Sequence, residues 1–442
     1  MKAKKIATLI LACAMALSAT ACGNSGNAGS AAESAPSSGG ASGASSAALE
    51  KADLVWAGWS GEEDSTKAVI KEIIDSYNAK GGSQVKWVGW PYADTQQQLV
   101  IRNQGSEALD VAQVDISMFG ALSQMDILAD MNDLMGKDYL TKNYDSAALT
   151  VGQVDGKQLG MPWSIASIGM VYNPSLLAKV GYKNPPKTIA EFEDCMKKLK
   201  AYDKDIIPYG VATKEVTMAS DFQPWLWTFG GSLLGKDGKV AIKGDAAVKV
   251  LDWYKDLKKK GYIQMNITRF DARQMFAQGK IAFYDDAIAS RGVAKSNGIA
   301  EADLSNKIKP MERPVLKEGD TPQSAMWGHL LVVFKKSQHQ KQAADFIKHV
   351  VSEEQSLKYL KSNDMLPVLK TALANDAVKN NEWDSAWADI TKNGKTLEFV
   401  KKSNGAELNN ILVEEIQSAL LDQKTSSEAV DSLDQRLTSA LG

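Results

Sequence analysis

Eleven tryptophans stand in these 442 residues beside only three histidines and three cysteines, and that imbalance decides what chemistry the chain can offer. Imidazole bases and thiol nucleophiles are scarce, whereas flat indole faces are plentiful. Several indoles fall close to acids or to the ends of apolar runs: Trp59 with Glu62, Trp90, Trp163, Trp225, Trp227 and Trp327. Asp115 and Asp285 each follow an apolar run. A flat ring stacks on the axial C–H groups of a sugar, and a carboxylate accepts hydrogen bonds from its hydroxyls. Indoles beside carboxylates therefore suit carbohydrate. Trp253, on the apolar face of an amphipathic stretch, reads as core.

Other chemistries lack a complete motif. Gly230 to Asp237 matches a phosphate loop until its last position, where Asp replaces the Ser or Thr that would hold magnesium. A hairpin rather than a helix follows it, so no helical amides cradle a phosphate. Gly58-Trp59-Ser60-Gly61-Glu62 sits where a hydrolase nucleophile elbow would sit, but Glu62 replaces the final glycine, and Ser60 reads as a helix cap. His339 and His349 fall in a lysine-rich helical stretch, and Cys195 reads as a small buried hydrophobe. No His or Cys pair has zinc spacing and no calcium loop appears, so neither metal nor cofactor is expected.

The ends of the chain and its charge narrow the setting. Lys2, Lys4 and Lys5 precede an uncharged run over 6–21, the pattern of an export signal. Small residues then lead into Cys22, as in a bacterial lipobox, though Ala19 stands where Leu is more usual. Residues 23–48 are almost all Gly, Ser, Ala and Asn, a flexible tether. The reading is a signal peptide over 1–21, lipidation at Cys22, a tether over 22–50 and a body outside the cell membrane. With 51 basic and 53 acidic residues the formal charge is −2, which argues against a nucleic-acid partner.

The elements that must position the indoles read as α/β units. Strands are expected at 53–57, 84–88 and 111–114, with helices beginning at Ser60 (a capping box with Glu63), at Thr95 and at Met118. This is βαβαβ, with a parallel sheet. A second series starts near Gly160, with strands at 170–172, 281–284 and 329–334, a capping box at Thr188 and Glu191, and a hairpin at 235–239. From Gln338 onward the chain reads as almost all helix. Ligands of open parallel sheets sit at the carboxyl ends of the strands, which here places Trp59, Trp90 and Asp115 on one edge. Trp87 falls inside its strand and is left out of the set.

Leu54 to Trp59, Leu109 to Asp115, Gly160 to Trp163, Gly169 to Asn173, Trp227 to Ser232, Phe276 to Lys280, Ala343 to Lys348 and Leu366-Pro367-Val368 occur in one order across the body. On these stretches the chain resembles the extracellular solute-binding lipoproteins of sugar ABC importers (maltose-binding-protein-like, solute-binding protein family 1). The resemblance implies a two-lobe periplasmic-binding-protein-like α/β fold with a three-crossing hinge and a helical C-terminal region. It places the crossings near 160–163, 279–283 and 325–330, with lobe one at 52–161 and 283–326 and lobe two at 162–282 and 327–442. It implies a monomer that is no enzyme, closes on a sugar and delivers it to transmembrane permease subunits. Trp59, Glu62, Trp90, Asp115 and Asp285 would line lobe one, faced by Trp163, Trp225, Trp227 and Trp327; Arg273 is a further possibility. A glycan-active hydrolase and a lipoprotein presenting sugar to a membrane sensor are the alternatives.

Overall fold

The computed structural model describes residues 49–105, 109–214 and 217–442. The signal peptide, Cys22 and nearly all of the tether lie outside the described residues.

The first third of the body follows its apolar pattern. Strand β1 (Asp53–Gly58) leads to α1 (Lys67–Asn78), β2 (Gln84–Gly89), α2 (Tyr92–Gln104), β3 (Val111–Asp115) and α3 (Ile116–Ser123). β1 lies parallel between β2 and β3, in register from Asp53 opposite Gln84 to Gly58 opposite Gly89. Helix α1 buries Val69, Ile70, Ile73, Ile74 and Tyr77, the face its periodicity dictates. It begins six residues later than expected from the capping box. Ser60 is fully buried, its N–H donating to Gln113 Oε1 at 3.0 Å and its hydroxyl accepting from Gln113 Nε2 at 2.7 Å. A side chain so engaged is not free to cap a helix.

Strand β4 (Met161–Tyr172) is twelve residues long and buried throughout. Only its last three residues were legible, because a strand covered on both faces shows no alternation and Pro162, Ser164 and Ser167 read as loop. There follow α4 (Ile189–Tyr202), β5 (Ile207–Gly210), α5 (Thr217–Thr228), α6 (Asp245–Lys259), α7 (Arg269–Ala277) and β6 (Ile281–Asp286). The capping box at Thr188 and Glu191 is present at the start of α4. Next come α8 (Ser290–Ser296), β7 (Lys309–Met311), β8 (Ser324–Val333), α9 (Gln340–Val350), α10 (Glu353–Asn363) and β9 (Leu366–Pro367). Helix α11 (Glu382–Lys392), β10 (Gly394–Thr396), α12 (Gly405–Leu420) and α13 (Ser426–Leu441) complete the chain. No helix of the described residues is long and apolar enough to cross a membrane.

The main sheet runs β2-β1-β3-β8-β4-β6-β5, with β7 and β9 on β4 and β10 on β8. β4 and β8 are antiparallel and serve both lobes. Residues 329–333 of β8 pair with β3, and residues 169–172 of β4 pair with β6. By pairing, 283–284 lie beside β5 and 329–333 beside β3. Helices α9 and α10 join the first lobe too, through Tyr77 to Asp345 at 2.9 Å and Lys358 to Glu72 at 2.9 Å. An apolar strand carries no mark of its partner, so order along the chain was a poor guide to side.

Two expected ligand residues are core of the second lobe. Asp285 is buried against Arg313 at 2.5 Å, with both side chains sealed from water, and also accepts from the Tyr209 hydroxyl. Trp225 is fully buried, donates from Nε1 to Tyr209 Oη at 2.8 Å and lies 4.7 Å from the Arg313 guanidinium. Pro224 lies inside α5, so the helix carries on through Trp225 where the proline suggests a helix start. Arg273 is likewise occupied, gripping Asp286 at 2.7 and 2.8 Å.

Breaking this cluster should cost stability. Asp285→Asn leaves Arg313 uncompensated and should lose about 3–5 kcal/mol in urea unfolding; Trp225→Ala should lose a similar amount, about 3–5 kcal/mol, as a cavity. A change within roughly 0.5 kcal/mol, typical of surface positions, would return either residue to the ligand wall.

Candidate ligand-binding site

Because β1, β2 and β3 are parallel neighbours, their carboxyl ends bring Trp59, Trp90 and Asp115 to one edge. The Trp90 N–H donates to the Gly58 carbonyl at 3.1 Å, which ties the first two ends together. Trp59 is nearly buried, edge-on to Tyr92 at 5.3 Å and to His329 at 5.0 Å. Trp90 is half-buried beneath the Arg102 guanidinium, 5.0 Å from its ring. Asp115 caps α3, accepting from the Met118 N–H and the Ser117 hydroxyl at 2.7 Å each, while Tyr92 donates to its other oxygen. Glu62 is exposed and accepts from Trp87 Nε1 at 3.0 Å.

The crossing strands supply the adjoining wall. Trp163, on β4, is buried and stacks on Tyr359 of α10 at 4.2 Å. Trp327, on β8, is half-buried. The indole N–H groups of both have no partner among the described residues. The indole N–H groups of the core residues Trp56 and Trp387 share this state. His329 lies among Trp59, Trp163 and Trp327, with Gln113 Nε2 3.3 Å from its Nδ1. Burial pushes this imidazole down to about 4, so it is neutral at neutral pH. Trp227, in the second lobe, donates to Glu398 at 2.6 Å. Sequence reasoning missed as site residues Gln113, which holds the Trp59 main chain, Tyr92 and His329, edge-on to the Trp59 ring, and Glu398, which accepts from the Trp227 indole; nothing in their spacing marks them.

A cavity of about 460 Å³ draws its walls from both lobes. Ile288 and Arg291 come from the β6–α8 side, Leu360 and Asp364 from the end of α10, and Trp383 and Asp384 from the start of α11. The Trp383 indole is fixed by its N–H donating to the Ile288 carbonyl at 2.9 Å. Burial, and then the charge of Asp364, pushes the Asp384 carboxyl up to about 6 against the opposing pull of Arg291. Burial raises Asp364 in the same way. None of the nine sequence-derived residues lines this cavity. Three distant segments form it, so no local motif announces it. Helix α10 packs against both: buried Tyr359 stacks on Trp163 and bonds Ser60 at 3.0 Å, while Leu360 lines the cavity.

An indole, two carboxylates and a guanidinium around one space can hold a polyhydroxylated molecule between ring and acceptors. Among the described residues no group of three or more His, Cys, Asp and Glu could hold a metal.

The comparisons with known proteins agree with this architecture. The chain is similar to a binding protein of Brucella abortus (strain 2308), 25% identical over 283 residues, or 60% of this chain; the match spans 65% of that relative's length. It is 24% identical to the arabinooligosaccharide-binding protein of Bacillus subtilis (strain 168) over 436 residues, covering 86% of this chain and 94% of that one. Its fold is that of the cyclic alpha-maltosyl-1,6-maltose binding protein from Arthrobacter globiformis, with a TM-score of 0.78, 22% identity and 89% and 99% of the two chains covered. The profile of the bacterial extracellular solute-binding proteins matches residues 72–401, three-quarters of the sequence, and this chain belongs to that family.

Proposed function

We propose that this protein captures a carbohydrate between its two lobes and hands it, unaltered, to the permease subunits of an ABC transporter. The observation that carries the reading is the two-lobe cavity with an anchored indole, two carboxylates and a guanidinium. Similarity to an arabinooligosaccharide-binding protein and to a maltosyl-maltose binding protein supports it. Trp383 offers a stacking face, Asp364 and Asp384 accept from hydroxyls, and Arg291 donates. Trp59, Glu62, Trp90 and Asp115 on the first lobe, with the unpartnered N–H groups of Trp163 and Trp327, extend the surface that a longer glycan meets. Trp227, held by Glu398, is the second lobe's candidate for the same surface. Walls from both lobes make ligand binding and lobe closure one event, a hinge transition. The working protein is a monomer held outside the cell membrane by a diacylglycerol on Cys22, and it performs no turnover.

Calorimetry across purified glycans tests the reading directly. Asp384→Asn and Trp383→Ala should each weaken the sugar that binds by about tenfold or more, from a lost charged acceptor or stacking face. Retention of full affinity in both variants would sink the assignment of this cavity.

Binding should also depend on pH. Burial raises Asp384 to about 6, so its charged acceptor form is nearly complete at neutral pH, half lost at about 6 and mostly lost below it. Facing it are Asp364 and Lys361 from the α10 end and Arg291 and Lys295 from α8, with Glu301 paired to Lys295 at 2.6 Å. Affinity for a neutral sugar should drop about fivefold from pH 7 to pH 5, the difference between a charged and a neutral acceptor. The Asp384→Asn profile should be flat over that range; a wild-type slope in the variant would assign the titration elsewhere.

The anchor has its own test. Cys22→Ala should move the protein from the membrane fraction to the soluble one, and firm retention in the pellet would show another attachment.

A further inference from the structure

Residues 397–402, between β10 and α12, touch both lobes, and two adjacent side chains divide between them. Phe399 is fully buried in the second lobe's core, whereas Val400 packs on the core that holds Trp59, Phe119 and Leu122 in the first. The polar residues on either side divide in the same way. Glu398 accepts from Trp227 Nε1 at 2.6 Å, from the Ser232 hydroxyl at 2.9 Å and from the Leu234 N–H at 2.5 Å. Its own N–H donates to Gln223 Oε1 at 2.9 Å, so all of these partners lie in the second lobe. Lys401 Nζ donates instead to the Thr150 and Gln153 carbonyls of the first lobe, at 2.6 and 2.8 Å.

The first lobe is shaped to receive the segment. Gly120 lies inside α3, where glycine weakens a helix, and a close approach requires it there. A Cβ on Gly120 would stand 2.1 Å from the Val400 carbonyl oxygen and 3.0 Å from Lys401 Cα. The two ends are seated unequally. The second-lobe end has a fully buried ring, the hydrogen bonds of Glu398 and a continuation into α12, which packs on α5 and α6. The first-lobe end has a half-buried valine and an ammonium whose acceptors are main-chain carbonyls. Burial lowers that ammonium to about 8, the mark of a charge whose lost hydration is poorly replaced. Of the two ends, this one gives way first.

We propose that 397–402 is a strap across the lobes, fixed to the second and clasped to the first by Lys401, and that release of this clasp sets how readily the unliganded lobes part. This rests on the hinge reading above and adds its regulation. The strap holds the lobes at the angle seen here before any ligand arrives, so affinity depends on residues outside the cavity.

Small-angle scattering and amide exchange on the full, unliganded chain test this. Lys401→Met keeps the stem and loses the donors. It should raise the radius of gyration above wild type and quicken exchange over 397–402 about tenfold or more, from lost charge-assisted hydrogen bonds. Amides over 230–234 should keep their wild-type rates. Gly120→Ala, which pushes the strap off α3, should give the same expansion by a different route, and melting curves establish that both variants fold. Glu398→Gln should instead quicken 230–234. If neither Lys401→Met nor Gly120→Ala expands the molecule, the strap is overturned, even where 397–402 exchanges faster, because the segment is then a local loop. Expansion in Glu398→Gln alone would overturn the choice of releasable end. The carbohydrate reading is judged separately, by calorimetry with Asp384→Asn, whichever way the strap falls.

Discussion

The pairing of β4 with β8 is the interaction on which the rest of the molecule depends. These two antiparallel strands belong to both lobes, so each must satisfy its hydrogen bonds with different neighbours along its length. β8 meets β3 at one end and β10 at the other; β4 meets β9 and then β6 and β7. The crossing leaves almost no room. A Cβ on Gly328 would stand 2.4 Å from the Ser164 carbonyl oxygen, and one on Gly169 would stand 2.8 Å from Ile390. A register irregularity between His329 and Leu330 falls where the ladder to β3 begins. Such local departures let one strand change partners and direction.

The two lobes solve the problem of buried polarity differently. In the first, a neutral hub serves: Gln113 accepts from the Trp59 and Ser60 N–H groups, donates to the Ser60 hydroxyl and reaches His329. Every bond of that amide is used, which fixes the loop carrying Trp59. In the second, charge is buried and matched, with Asp285 on Arg313, Asp286 on Arg273 and Asp221 on Arg269. Ion pairs of this kind add little net stability but are costly to break singly. They stiffen the lobe behind Trp225 and leave the indole no freedom to serve a ligand.

Function follows from where the rigid parts meet. On the proposed function, a cavity walled by both lobes would couple a ligand to the angle of the hinge, since each new contact with one wall would pull on the other. Its indole and that of Trp87 are each fixed through the N–H group, to the Ile288 carbonyl and to Glu62. The aromatic wall and the cavity share α10, which carries Tyr359 against Trp163 and Leu360 into the open space.

Sequence alone determined the α/β class, the parallel order of the first three strands and the grouping of Trp59, Trp90 and Asp115. Those follow from apolar period and chain direction, which are local properties. It also held no complete phosphate-loop, elbow or zinc-spacing motif. Tertiary structure decided the rest. Asp285 satisfied the strand-end rule and Trp225 stood where a helix start was expected, yet chain folding back over them made both core. Trp87 failed that rule, yet its ring stands half-buried with its N–H on Glu62. Asp364, Trp383 and Asp384 converge from segments with no shared spacing. Which strands lie beside 283–284 and 329–333 was settled by tertiary contact, and an apolar strand buried on both faces does not encode its neighbour's identity in its own pattern.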